Sequence, residues 1–105
     1  MTDRLRDVQE AAELFSALGS ETRLRILQEL QERALCVGAL AMRLDMTQSA
    51  ISQHLTVLRN VGLVRPDKQG SFVHYSLTED ARERCRAALD GILPQRDRKE
   101  DLNDV

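Results

Sequence analysis

The side chains that could do chemistry in this sequence are two thiols, Cys36 and Cys85, two imidazoles, His54 and His74, and a polar run from Thr47 to His54. Nucleophilic catalysis needs a base within reach of the nucleophile. Neither cysteine has a neighbouring base in the sequence, so an enzyme is not expected. Two cysteines are also too few for a disulfide framework, which points to a reducing, cytoplasmic setting. The polar run offers a different chemistry. On a helix, Gln48, Ser49, Ser52 and Gln53 share one face while Ile51, Leu55 and Leu58 share another. Short donors and acceptors displayed in this way suit the base-pair edges of a DNA major groove.

A face of this kind must be held by its flanking elements. Thr47 is placed to cap the helix, and Asn60-Val61-Gly62 to stop it. Upstream, Val8, Ala11, Ala12, Phe15 and Leu18 predict a first helix from Asp7 to the stop at Gly19. Ser20 caps a second helix, whose buried face is expected to be Leu24, Ile26, Leu27 and Leu30. Residues 34–37 form an apolar connection able to pair weakly as a strand. A brief third helix, Ala39 to Leu44, turns through Asp45-Met46 into the polar helix. Two such helices joined by a short turn make a helix-turn-helix, although this turn lacks the glycine it often contains.

Downstream, residues 63–65 and 72–77 read as strands around the turn cluster Pro66 to Ser71, with Val73 and Tyr75 on a half-buried face. A last helix from about Thr78 carries the stripe Ala81, Cys85, Ala88, Leu89, Ile92 and stops at Pro94. The predicted fold is mainly α with a small β-hairpin, a winged helix-turn-helix in the order α-α-α-α-β-β-α. Residues 1–6 are expected to be a flexible N-terminus, 7–93 the single domain, and 94–105 a polar tail.

Charge narrows the choice of partner. The chain has a net charge of −2, but residues 43–77 carry four Arg or Lys against two Asp or Glu, the reverse of the balance on either side. Arg43, Arg59, Arg65 and Lys68 supply the excess, with His54 and His74 adding charge when protonated. An excess this small favours shaped contacts, repeated in a dimer, over bulk electrostatic coating. The longest apolar runs are too short to span a membrane. The acidic total favours an alternative: a winged-helix interaction or scaffolding module that does not read DNA.

Three blocks, Phe15–Leu30, Gly38–Val64 and Gly70–Leu77, resemble the ArsR/SmtB-type winged-helix repressors of bacteria. The resemblance runs over roughly Leu14 to Leu93. It implies a homodimer through the first and last helices, reading a palindromic double-stranded operator and released by an effector. Its DNA contacts, carried over by position, are Thr47, Gln48, Ser49, Ser52, Gln53 and His54, with Arg59 beside them and Lys68, Gly70 and Ser71 on the wing. Where many relatives have Arg at the positions of Gln53 and Ser71, this chain has less charge.

The resemblance implies no cofactor, and its metal sites are incomplete here. Metal-sensing relatives begin the third helix with Cys-Val-Cys, whereas this chain has Cys36-Val37-Gly38. A soft metal wants two or three sulfurs in close reach. At the site on the last helix, Glu79 stands for one ligand, but Ala81 falls where a histidine is needed and the far end reads Gly91-Ile92-Leu93. Cys36 and Cys85 remain open between small buried hydrophobes, a redox or thiol-sensing pair, and ligands completed from elsewhere. The effector is unknown.

Overall fold

Residues 2–96 are described by a computed structural model, and the expected tail lies outside the described residues from 97 onward. Five helices and three strands follow in order: α1 Thr2–Leu18, α2 Glu21–Glu29, β1 Leu35–Cys36, α3 Val37–Leu44, α4 Gln48–Asn60, β2 Val64–Gln69, β3 Phe72–Leu77 and α5 Ala81–Ile92. This is the expected winged helix-turn-helix, with the weak strand at residues 35–36 realised. α1 begins at Thr2 rather than Asp7, because no Gly or Pro stands between them to stop it.

The core lies beneath α4. Ile51, Leu55 and Leu58 are buried there with Ile26 of α2, Leu40 of α3, and Leu63 and Val64 at the entry to β2. Leu24 departs from expectation and is exposed. It sits two residues, about 200° of helical rotation, from Ile26, so only one of the two can face the core of a short α2. α1 divides similarly. Ala11, Leu14 and Ala17 are buried, while Val8 and Phe15, expected in the packing stripe, are exposed on another face.

The turn without glycine is made by Asp45. Its φ of 53° puts it in the left-handed region, where glycine is usual. Asp45 N–H donates to the Met42 carbonyl and Met46 N–H to the Ala41 carbonyl, closing α3 with a Schellman motif. α4 ends in the same way around Gly62 at φ 79°, with bonds from Gly62 N–H to Arg59 and from Leu63 N–H to Leu58. Thr78 fastens this corner to the start of α5: its hydroxyl donates to the Gly62 carbonyl at 2.7 Å.

The sheet order is β1-β3-β2, all antiparallel. β2 runs through Pro66 to Gln69, further than the expected end at Arg65. As an edge strand it loses no ladder bond to proline, whose missing N–H faces outward. The hairpin closes with two residues, Gly70 at φ 63° and Ser71, as in a type II′ turn. The expected alternation of burial is not seen: Phe72 and Val73 are both exposed, and His74 to Leu77 are all half-buried. Tyr75 and Leu77 reach the core, which ends before Val73 is reached.

Candidate nucleic-acid interface

The apolar face of α4 fixes which of its residues meet solvent. With Ile51, Leu55 and Leu58 inward, Gln48, Ser49, Ser52 and Gln53 are all exposed on the far side. Thr47 lies at the N-cap, its Oγ1 accepting from the Ala50 N–H at 3.1 Å, so its hydroxyl holds the start of the helix. Two further exposed residues, Thr56 and Arg59, continue the polar face one and two turns beyond Ser52. The Thr56 hydroxyl donates to the Ser52 carbonyl at 3.0 Å, which leaves its oxygen able to accept. The signal for Thr56 was its i+4 spacing from Ser52.

His54 is held differently from the rest. Its Nδ1 lies 3.1 Å from Arg23 Nη1. Since a guanidinium only donates, Nδ1 accepts, and the neutral ring carries its proton on Nε2. Arg23 also donates through Nε to the Ala17 carbonyl at 2.6 Å and through Nη2 to the Ser16 carbonyl at 3.2 Å. One guanidinium therefore caps the end of α1 and pins α4 to it through His54. Desolvation by burial, then the Arg23 charge, lowers the His54 pKa below its usual value. Sequence reading missed Arg23. A cation in the first turn of α2 opposes the helix dipole, and that was the available clue.

The basic residues fall into two groups. Arg43 pairs with Glu29 at 3.1 Å and is occupied in holding α3 to α2. Arg59, Arg65 and Lys68 are exposed and form no ion pair among the described residues. Lys68, Gly70 and Ser71 lie together at the outer end of the hairpin. The α4 face and this tip are two separate polar surfaces joined by the corner at Gly62.

The thiols are free and occupy different elements. Cys85 packs on the core from α5, and burial raises its pKa against the opposing charge of Arg84. Cys36 lies on β1 directly across from His74 of β3, and on the other side His74 faces Asp67 of β2. The three form one cross-strand row on the face of the sheet away from Leu35 and Tyr75. His74 Nδ1 is buried without a hydrogen-bond partner among the described residues. Among those residues, no three His, Cys, Asp or Glu side chains gather as a metal site. A Cβ at Gly38 would meet nothing closer than Gln48 Nε2 at 3.6 Å, so the missing second thiolate is not excluded by space.

A family model described as "Bacterial regulatory protein, arsR family" matches residues 20–65. The solved structure of an ArsR-like transcriptional regulator from Rhodococcus sp. RHA1 is 33% identical, with a TM-score of 0.77 over 90% of each chain. The chain belongs to the ArsR family. It is accordingly a DNA-binding regulator of the ArsR type and not an enzyme. Two further proteins are similar to this chain in sequence or fold. A transcriptional repressor SmtB homolog from Synechocystis is 40% identical over 76 residues, 72% of this ArsR-family chain and 58% of that protein, so the match spans less than two thirds of its length. The homodimeric winged helix-turn-helix DNA-binding domain of a Mycobacterium bovis protein is 28% identical, with a TM-score of 0.68 over 77% of each chain. Among the described residues of the ArsR-family chain, no helix is long and apolar enough to cross a membrane.

Proposed function

We propose that this chain is an operator-specific transcriptional repressor acting as a homodimer, with α4 of each copy in one of two successive major grooves of a palindromic double-stranded site. The observation that carries the reading is the exposed face of Gln48, Ser49, Ser52 and Gln53 on a capped helix whose opposite face is fully buried. Gln53 and Gln48 are suited to paired contacts with adenine, and the serines to either base of a pair. Arg59, Lys68 and the amides around Gly70 and Ser71 position the protein on phosphate.

The dimer is supported by what α1 and α5 leave uncovered. These helices pack on one another, yet Val8 and Phe15 on α1, Leu89 and Ile92 on α5, and Leu93 just past its end are exposed. Leu89 and Ile92, 47% and 43% exposed, extend the stripe whose earlier members, Ala81, Cys85 and Ala88, pack inward. A second copy of the same surface covers both in one symmetric contact. The Mycobacterium relative's homodimeric state supports this, as the Synechocystis relative's name supports repression.

Control of DNA affinity is assigned to an effector or to the state of the thiols. The family's metal positions hold Gly38 and Ala81, which offer no donor. Cys36 is the better placed thiol, because it borders the wing strand while burial keeps Cys85 protonated. The expected setting is the cytoplasm, where free thiols persist.

The test is a titration of the chain against the DNA upstream of its own gene and against unrelated duplex, at several salt concentrations. Preferential binding with a log–log salt slope of several units supports the repressor. Equal affinity for both duplexes, or none for either, favours the scaffolding alternative. Selective alkylation in Cys36→Ser and Cys85→Ser variants then separates the thiols. If neither modified variant changes DNA affinity, the thiol part of the reading fails.

A further inference from the structure

The tip of the hairpin holds a side chain that the polar contacts leave unexplained. Phe72, one of two phenylalanines in the chain, opens β3 and is 63% exposed. Val73 beside it is 42% exposed. The reason is structural: β1 pairs with β3 only at His74 and Tyr75, so the outer end of the hairpin is a two-stranded ribbon beyond the core. Phe72 faces Gln69 across that ribbon, next to a turn where a Cβ on Gly70 would meet nothing within 4 Å. Lys68, paired with Val73 on the opposite face of the ribbon, is a cation that forms no ion pair among the described residues.

Strands of six residues reach about 20 Å, enough to carry the tip from the end of a helix seated in the major groove across a phosphate ridge to the adjoining minor groove. Apolar side chains that enter a minor groove wedge against base steps and partly unstack them. Exposure, apolar character, a slender ribbon and a flanking cation are the properties such a contact requires. We propose that Phe72 is a minor-groove wedge, its ring pressed against a base step flanking the bases read by α4, with Lys68 on the adjacent phosphate. This rests on the DNA-reading assignment of α4. It adds selectivity at positions α4 does not touch, because pyrimidine–purine steps unstack most easily.

The experiment places 2-aminopurine at successive steps flanking the site in the operator duplex and titrates the full chain, Phe72→Ala and Phe72→Leu. Wild type should raise the fluorescence at one flanking step. Phe72→Ala should abolish that signal and weaken specific binding by roughly tenfold or more. The salt slope should not change, because no phosphate contact is lost, and Phe72→Leu should retain part of both effects. If Phe72→Ala binds and reports like wild type, the wedge is wrong while the α4 reading survives. If wild type shows no preference for the operator, both fail together. If Phe72→Ala shifts the oligomeric state in size-exclusion chromatography and leaves DNA binding intact, the ring belongs to a protein contact and the proposal is overturned.

Discussion

At the scale of single residues, the polar helix separates reading from holding. Thr47 and His54 are occupied by the helix start and by Arg23, whereas Gln53 is exposed and free to meet a base edge. Gln53→Ala is expected to lower affinity for the operator by about 1–3 kcal/mol and affinity for random duplex much less. Equal losses in a competition assay would show that Gln53 only positions the protein. Arg23 and His54 make a second expectation. With the folded His54 pKa lowered, the unfolded chain takes up its proton first as pH falls. The contribution is complete above the unfolded value, about pH 6.5, and is lost as pH drops toward the folded one. Urea midpoints at pH 7.5 and 5.5 should therefore differ more for wild type than for His54→Gln, which accepts from Arg23 without titrating. The cap at Thr47 was legible because it concerns neighbours in sequence. The Arg23–His54 contact was not, because the partners are 31 residues apart and only the fold brings them together.

At the scale of elements, two turns aim α4, and they differ in their fitness for the task. Asp45 holds a left-handed φ that glycine adopts without steric cost, and Gly62 holds a similar one. Asp45→Gly is expected to raise stability by about 0.5–1 kcal/mol in chemical denaturation, the relief of the left-handed strain outweighing the unfolded chain's added freedom. Gly62→Ala should lower it by about 1–3 kcal/mol by forcing a side chain into that left-handed backbone, the flexible end of Arg84, 2.9 Å from the new Cβ, being able to move aside. An Asp45→Gly variant less stable than wild type would mean that the carboxylate has a role beyond the turn. Element types and order could be read from spacing, because helix and strand periods are local. Which stripe of α1 turned inward could not, as Val8–Phe15 and Leu14–Ala17 both fit a helical face. The strand through Pro66 was likewise hidden, since a proline is tolerated there only on an edge, and edges are set by pairing.

At the scale of the whole molecule, the acidic total and the basic middle of the chain are compatible because α4 and β2 expose Arg59, Arg65 and Lys68, while α1 and α5 leave apolar side chains open. Leu89→Glu combined with Ile92→Glu should leave the monomer fold intact, since both side chains are exposed. The same change should convert a dimer to a monomer in light scattering and weaken operator binding by at least tenfold. An unchanged mass would place the dimer contact elsewhere. That apolar face was foreseen as a stripe, but its division into covered and open halves depended on where the core ends. The sheet order has a wider consequence. Because β1 joins β3, the path from β1 through α3, Asp45, α4, Gly62, β2 and β3 returns to its own start as a closed loop. Reader helix and wing tip thus behave as the two jaws of a calliper with a fixed opening. Inserting one base pair between the steps they touch should then be as damaging as changing a base that α4 reads, so the spacing of an operator becomes part of its identity.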